Sequence, residues 1–136
     1  MKHFRGLTEQ ELNEFYNLMD VHFLSTTGEG FGIPTIESMA CEVPQVQTDY
    51  TVANELVKQQ NSGLVVPLCT EITGTYNVDR GMIDKEKAVE ALSYLVENPD
   101  DARQFGVNGR RAVLREYDWK KVFPLWYNTV KRTIDG

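Results

Sequence analysis

Short strand-like segments alternate with helical segments through the first half of the chain, and this alternation constrains the fold more than any other sequence feature. The patterns predict strands over 21–25, 45–48 and 64–67, with helices over 9–19, 34–41 and 53–59. Strands that alternate with helices at this spacing indicate a parallel sheet built of βα units. We therefore expect an α/β fold with a Rossmann-like parallel sheet flanked by helices.

The rest of the chain has a different character. Residues 2–5 resemble the end of a further strand, and the polar stretch 69–83 predicts an irregular insertion. Beyond it the patterns predict only helices. One is capped by Asp84 and carries Val89, Leu92, Leu95 and Val96, and the others lie over 99–105, 108–117 and 119–134, with N-caps at Asn98 and Asp118 and a kink at Pro124. We expect one domain of 136 residues, divided into an α/β part (1–68), the insertion (69–83) and a helical C-terminal half (84–136).

Charge is distributed unevenly along the chain. The formal net charge is −6, and no Lys or Arg occurs between Arg5 and Lys58, although that stretch contains several acidic residues. A nucleic-acid-binding protein needs a basic face to neutralise phosphates. The charge pattern therefore argues against a nucleic-acid partner.

Cellular location and metal binding are constrained by what the sequence lacks. No apolar run approaches the ~20 residues of a membrane span, and the first residues lack the apolar core of a signal peptide. We expect a cytoplasmic protein whose Cys41 and Cys69 are reduced. His3 and His22 have no Cys or carboxylate partner at ligand spacing, so no metal is expected.

The chemistry is concentrated in a glycine-rich turn (residues 26–32) between a predicted strand and a predicted helix. A helix N-terminus presents unpaired N–H groups and a positive dipole end to an anion. Gly30 and Gly32 would permit positive φ and a close approach of ligand to backbone. Glu29 lies just before the bend, and we place Glu37 in the first turn of the helix. Two such carboxylates could hold the hydroxyl pairs of a sugar or ribose.

A purely structural interpretation stays open on spacing alone. Glycine-rich turns between strand and helix are common in α/β proteins, and a Glu in a first helical turn complements the helix dipole. The dinucleotide pattern G-x-G-x-x-G and the Walker pattern G-x-x-x-x-G-K-[ST] are both absent.

The string EGFGIPTIESMACEVP resembles the signature of retaining glycosyltransferases of the GT-B fold, the large family four, with its Glu-x7-Glu pattern. The similarity extends to FRGLTEQELNEFYNLMDVHFLST before it, and to TDYTVANELV (with Glu55 as an expected buried Glu), NSGLVVPL and NPDDARQFGVNGRRAVLREYDWKKV after it. It covers nearly the whole chain except 69–83. The resemblance implies part of the C-terminal, donor-binding domain of a GT-B enzyme.

The resemblance also implies roles for individual residues. Glu29 would hold hydroxyls of the donor sugar and is the candidate catalytic residue, as a positioning group. The candidate substrate-binding residues are Gly30, Phe31, Gly32, Ile33, Thr35 and Glu37. Among them the amides of the turn would meet sugar and phosphate, Thr35 would lie near the diphosphate, and Glu37 would hold the ribose. Members transfer a sugar from a nucleotide diphosphate such as a UDP- or GDP-sugar with retention, and they need no metal or other cofactor.

Two departures from the family pattern are visible. Glu42 stands where the family usually has Gly, so the turn after that helix must adapt. The 69–83 stretch is longer than the usual loop, and its Tyr76 and Arg80 could lie over the nucleotide or form a solvated surface.

The resemblance leaves out half of an enzyme. The resemblance does not include the acceptor domain, or the Arg and Lys that the family carries at the start of the donor domain. We expect a fragment or part of a split enzyme whose partners are a nucleotide sugar and an N-terminal acceptor domain or partner chain. Self-association through the last helix and peripheral membrane contact are further expectations. Alternatives are a non-catalytic nucleotide-sugar-binding or assembly module and a decayed site. Sugar, base and acceptor stay open.

Overall fold

The protein is described by a computed structural model that covers residues 6–135, so the strand expected over 2–5 lies outside the described residues. Three parallel strands form the central sheet in the order β1 (His22–Leu24), β2 (Gln45–Thr48) and β3 (Gly63–Val66). In register, Val46 of the middle strand pairs with Phe23 on one side and Leu64 on the other. The predicted α/β fold with a parallel sheet is confirmed.

Helices precede, connect and follow these strands. Helix α1 has a complete capping box, in which Thr8 and Glu11 each bond the backbone N–H of the other. The helices are α1 (Glu9–Asn17), α2 (Ile33–Ala40), α3 (Lys85–Glu97), α4 (Pro99–Ala112) and α5 (Trp119–Asp135), with π-helical turns at Asn54–Lys58 and Val113–Tyr117. The helical C-terminal half is therefore also confirmed.

The middle strand β2 shows that helices cover both faces of the sheet. Successive strand residues point to opposite faces, and all of β2 is buried. Val46 joins the apolar cluster that contains Ala88 and Leu95 of α3. A second apolar cluster lies between α2, the first π-helical turn and α4, and contains Met39, Leu56, Val57 and Ala112.

The face of β2 that α2 covers is polar. Gln45 and Gln47 are fully buried there. The Gln45 amide donates to Ser38 Oγ over 3.0 Å, and the Gln47 amide donates to Thr35 Oγ1 over 2.7 Å. His22 Nδ1 lies 2.7 Å from Gln45 Oε1. Because each buried carboxamide finds partners, the polar layer fixes α2 on the sheet without an orphaned amide.

The expectation of an irregular insertion at 69–83 is wrong. The segment forms an antiparallel hairpin of β4 (Leu68–Thr73) and β5 (Asp79–Ile83), joined by a 3₁₀ turn at Thr75–Asn77. Most of β4 is exposed. Its residues therefore carry no alternation of apolar and polar side chains, which is the signal that predicts a strand.

The predicted break between helices at 105–108 is also wrong, because α4 runs without interruption from Pro99 to Ala112. Gly106 and Gly109 are buried where this helix crosses α2 and the chain after it. The glycines therefore permit close packing and do not end a helix. Asn98 likewise makes no side-chain cap to α4, since its side-chain amide donates to the carbonyl of Tyr94 in α3.

The N-caps predicted at Asp84 and Asp118 are confirmed. Asp84 accepts from the N–H groups of Glu86 and Lys87, and Asp118 accepts from that of Lys120. Helix α5 contains Pro124 and buries none of its residues. Within residues 6–135, no helix has the length and hydropathy that crossing a membrane requires.

Glu42 occupies a backbone conformation that favours glycine. Its φ is +62°, and the N–H groups of Glu42 and Val43 donate to the carbonyls of Met39 and Ser38. This is a Schellman ending of α2 with a non-glycine residue at the left-handed position. The turn after α2 therefore accommodates Glu42 in place of glycine by straining the backbone of that residue.

We expect Glu42→Gly to raise the free energy of unfolding by about 0.5 kcal/mol. Relief of ~1–2 kcal/mol of left-handed strain exceeds the ~0.5–1 kcal/mol entropy cost of glycine by a small margin. The exposed 3.6 Å ion pair with Arg110 contributes little. Urea denaturation measures the change. Glu90→Gly in the exposed middle of α3 is the control and should destabilise by about 1 kcal/mol; equal effects of both would refute the strain.

Candidate functional site

The glycine-rich turn leaves the carboxyl end of β1 and enters α2, the position at which open α/β sheets bind ligands. Gly32 is the N-cap of α2 with φ +81°. A Cβ on Gly32 would come within 3.2 Å of Val52 Cγ2, so the position requires glycine for conformation and space. Gly30 does not have positive φ, which corrects that expectation. It is exposed with open space around its Cα.

Backbone amides at the start of α2 have no acceptor within the described part of the chain. The N–H groups of Phe31, Gly32 and Ile33 donate no hydrogen bond there, whereas Thr35 and Ile36 N–H donate to the Gly32 carbonyl. The side chains of Phe31 and Ile33 are more than half exposed. An anionic or hydroxyl-bearing ligand could therefore reach the three amides.

Glu29 is fixed at its backbone. Its N–H donates to Thr51 Oγ1 over 3.1 Å, and its side chain is half-buried without a hydrogen bond to other described residues. Thr51 holds this position with φ +50°, a rare conformation for a β-branched residue. Strain of this kind concentrates at functional sites. Sequence reasoning missed Thr51 because nothing in its neighbours predicts a left-handed backbone.

Glu37 is held by a hydrogen bond from α1. The Tyr16 hydroxyl donates to Glu37 Oε2 over 2.8 Å. Glu37 is the fifth residue of α2 and lies beyond its first turn, which corrects the sequence expectation. Sequence reasoning missed Tyr16, which contacts Glu37 from another helix. The signal that could have revealed its role is a hydroxyl at a buried position, which needs a partner.

Thr35 lies in the first turn of α2 as expected, but its side chain is fully buried. Its hydroxyl accepts from Gln47, so the side chain belongs to the polar layer between α2 and the sheet. Glu55 is exposed, contrary to the expectation of a buried Glu, and accepts from the Tyr117 hydroxyl over 3.0 Å. The Tyr117 ring meets the Phe31 ring edge-on, with centroids 5.9 Å apart.

Two cavities lie away from the site. A cavity of about 570 Å³ adjoins Val21 and Pro44, at the amino ends of β1 and β2, and thus at the opposite end of these strands. A smaller one lies between β3 and α3. Neither includes a residue of the glycine-rich turn. Residues 6–135 contain no group of three His, Cys, Asp or Glu side chains placed to hold a metal ion.

Tyr16 and Tyr117, which donate to Glu37 and Glu55 at the site, should make folding stability fall at high pH. Burial and the bond to Glu37 raise the pKa of Tyr16, and burial and the bond to Glu55 raise the pKa of Tyr117 to about 12. A tyrosine whose pKa is higher in the folded state contributes its full stabilisation at pH values below its unfolded pKa of about 10. That contribution is lost as the pH rises through the folded pKa. We expect the free energy of unfolding to fall by about 1 kcal/mol or more between pH 9 and 11.

Tyr16→Phe separates the contribution of one of these tyrosines. The variant should lower stability at pH 7 by about 1 kcal/mol and should lessen the alkaline loss. Denaturant titrations at pH 7, 9 and 11 measure both effects. An alkaline loss as steep as that of the native chain would contradict the Tyr16 assignment. Exposed Tyr76→Phe is the control.

Comparison with known proteins decides the family. The sequence profile described as "Glycosyl transferases group 1" matches residues 2–75, which is more than half of the chain. The chain belongs to this glycosyltransferase family. The match includes the glycine-rich turn, Glu29 and Glu37.

Individual relatives in the family agree. An alpha-maltose-1-phosphate synthase of Mycolicibacterium smegmatis is 28% identical over 116 residues, covering 85% of this chain and 28% of that protein. The capsular polysaccharide biosynthesis glycosyltransferase CapM of Staphylococcus aureus is 29% identical over 126 residues, covering 90% of this chain and 29% of that protein. The chain thus spans less than a third of the length of these glycosyltransferases.

A solved structure supports the fold of this family member. The sucrose-phosphate synthase of Thermosynechococcus elongatus superposes with a TM-score of 0.73 at 24% identity, covering 96% of this chain and 29% of that one. The α/β architecture with its helical C-terminal half is therefore the fold of a part of that synthase.

Proposed function

We propose that this chain is the donor-binding part of a retaining glycosyltransferase that moves a sugar from a UDP- or GDP-sugar to an acceptor. The observation that carries the proposal is the row of unpaired amides at the start of α2, with Glu29 before it and Glu37 after it. Amides suit the phosphate and sugar oxygens of such a donor, and carboxylates suit paired hydroxyls.

Each residue of the site then has a distinct task. Glu29 positions the donor sugar through its hydroxyls, and Glu37, oriented by Tyr16, holds the ribose hydroxyls. The Phe31, Gly32 and Ile33 amides, with Gly30 leaving open space, meet the sugar and diphosphate oxygens. Thr35, as third residue of α2, lies beside them and supports the helix start through its bond to Gln47.

Catalysis in this proposal is electrostatic. An oxocarbenium-like transition state puts negative charge on the departing diphosphate, and catalysis depends on stabilising that charge and on orienting donor and acceptor. The N-terminal end of α2 supplies partial positive charge. Glu29 acts as a positioning residue and not as a nucleophile. No metal is required.

We further propose that the acceptor domain belongs to the same protein or to a partner chain. The division into 1–68, 69–83 and 84–136 then describes parts of one donor domain. A cytoplasmic location, with or without peripheral membrane contact, is part of the same proposal. The alternative is a non-catalytic nucleotide-sugar-binding or assembly module, which the lack of any Lys or Arg over 6–57 favours.

Titration calorimetry with UDP, GDP and their sugar conjugates tests the proposal. We expect weak binding of one nucleotide class by this chain and a roughly tenfold loss in Glu37→Gln, equivalent to ~1.4 kcal/mol. Glu86→Gln, an exposed change of equal charge on α3, is the control. Binding without any donor turnover in the complete protein would favour the binding module, and no binding of any donor would refute the site.

Helix α5 bears an exposed apolar face that includes Trp119, Phe123 and Trp126. Such patches invite association, and we propose that the acceptor domain or a second copy covers it. Light scattering of this chain should therefore show mass rising with concentration, and Trp126→Gln should reduce the rise more than Lys121→Gln does. A monomer at high concentration would contradict this prediction.

A further inference from the structure

The β4–β5 hairpin packs on the glycine-rich turn. The Gly81 N–H donates to the Thr27 carbonyl over 3.3 Å, and the Tyr50 hydroxyl donates to the Asp79 carbonyl over 3.0 Å. A Cβ on Gly81 would come within 3.0 Å of Tyr50 Cγ, so strand β5 lies close against this ring. The hairpin therefore has a defined position beside the turn.

Arg80 lies between these contacts and extends over the turn. Its Nη1 would be 3.3 Å from a Cβ built on Gly28, which places the guanidinium beside that residue. Across residues 6–135 the Arg80 side chain makes no hydrogen bond and no ion pair, and it is exposed. By contrast, Arg103 and Arg110 pair with Asp100 and Glu42.

Charge makes this position significant. No Lys or Arg occurs over 6–57, and Glu29 and Glu37 add negative charge near the turn. A diphosphate brought to the amides would meet repulsion without a cation. The hairpin supplies one from 52 positions further along the chain, since Gly28 and Arg80 are neighbours in space only. A guanidinium carries a planar fork of donors that matches phosphate oxygens.

We propose that Arg80 binds the diphosphate of the nucleotide-sugar donor, together with the unpaired amides of the turn. This inference rests on the proposed function and names Arg80 as the side chain that contacts the diphosphate of the donor. The hairpin is then a binding element of the donor site. Arg80 should increase affinity for the diphosphate and leave affinity for the nucleoside unchanged.

The test compares Arg80→Gln, Arg80→Lys and the native chain, with Arg103→Gln as a remote control of equal charge change. Binding of UDP or GDP, the matching nucleoside and inorganic pyrophosphate is followed by calorimetry and by NMR shifts of the 28–33 amides. We expect Arg80→Gln to weaken the binding of nucleoside diphosphate and of pyrophosphate about tenfold. The affinity for the nucleoside should be unchanged. Arg80→Lys should fall between, because it keeps charge but loses the fork.

The outcomes separate this inference from the proposed function. If native chain binds the diphosphate and Arg80→Gln binds it equally well, Arg80 is not a ligand, although the donor site stands. Pyrophosphate could shift the NMR signals of the turn amides in the native chain but not in Arg80→Gln, while no nucleotide binds more tightly than pyrophosphate. In that case the anion site stands and the nucleotide function fails. If pyrophosphate and diphosphate both leave the native amides unmoved, the inference is overturned.

Discussion

Gly106→Ala is expected to destabilise the protein by about 3 kcal/mol or more, the upper end of the range for overpacking. A Cβ at this position would lie 2.0 Å from the carbonyl oxygen of Glu42, far inside contact distance. That oxygen is backbone in the turn that ends α2, so it cannot swing away as a side chain would. The contact couples α4 to α2, so the loss should affect the whole fold.

Gly109→Ala is the matched control for Gly106→Ala in the same buried helix. The nearest atoms there are Met39 Cγ at 3.2 Å and Ser62 Cβ at 3.3 Å, far looser contacts than the 2.0 Å approach at Gly106. Alanine also gains ~1 kcal/mol of helix propensity over glycine, so the net change should be small. Chemical denaturation of both variants measures the difference. A Gly106→Ala variant as stable as Gly109→Ala would contradict the close approach of the two segments.

In the glycosyltransferase proposed above, Glu29→Ala should lower kcat/KM about 100-fold or more. Its carboxylate can accept two charge-assisted hydrogen bonds, worth roughly 1.5–3 kcal/mol each, and ~2.7 kcal/mol corresponds to 100-fold in rate. Glu29→Gln retains an acceptor oxygen and should lose about tenfold. Hydrolysis of the donor that binds best in the calorimetric screen provides an assay that needs no known acceptor.

Two further measurements make the Glu29 result specific. Glu86→Gln, exposed on α3, should retain full activity. Thermal unfolding should show that Glu29→Ala stays folded, because its recorded polar contact is made by the backbone N–H and survives the substitution. Near-native kcat/KM in both Glu29 variants would exclude it as a positioning residue for the donor sugar.

The sequence predicted those parts of the fold in which local chemistry and burial agree. Asp84 and Asp118 indicate the starts of α3 and α5, since caps are local signals. The hairpin was missed because an exposed strand carries no burial pattern. Gly106 was misinterpreted because its neighbour, the Glu42 carbonyl, is 64 positions away in sequence.

The residues of the candidate site also fall into those that the sequence predicts and those that it does not. Gly32 could be assigned because a strand, a bend and a helix follow one another there, and its left-handed backbone agrees. Tyr16 and Thr51 could not, because they reach the site from other elements, and the sequence left Arg80 open between a position over the nucleotide and a solvated surface. Contacts between distant segments depend on how helices and hairpin pack, which periodicity does not encode.

The polar layer between β2 and α2 has a consequence for solution conditions. The bonds from Gln45 to Ser38 and from Gln47 to Thr35 join neutral carboxamides to neutral hydroxyls. Dissolved ions have no net charge in these bonds to screen. The packing of α2 on the sheet should therefore stay constant as ionic strength rises, while any electrostatic binding of a diphosphate by Arg80 weakens.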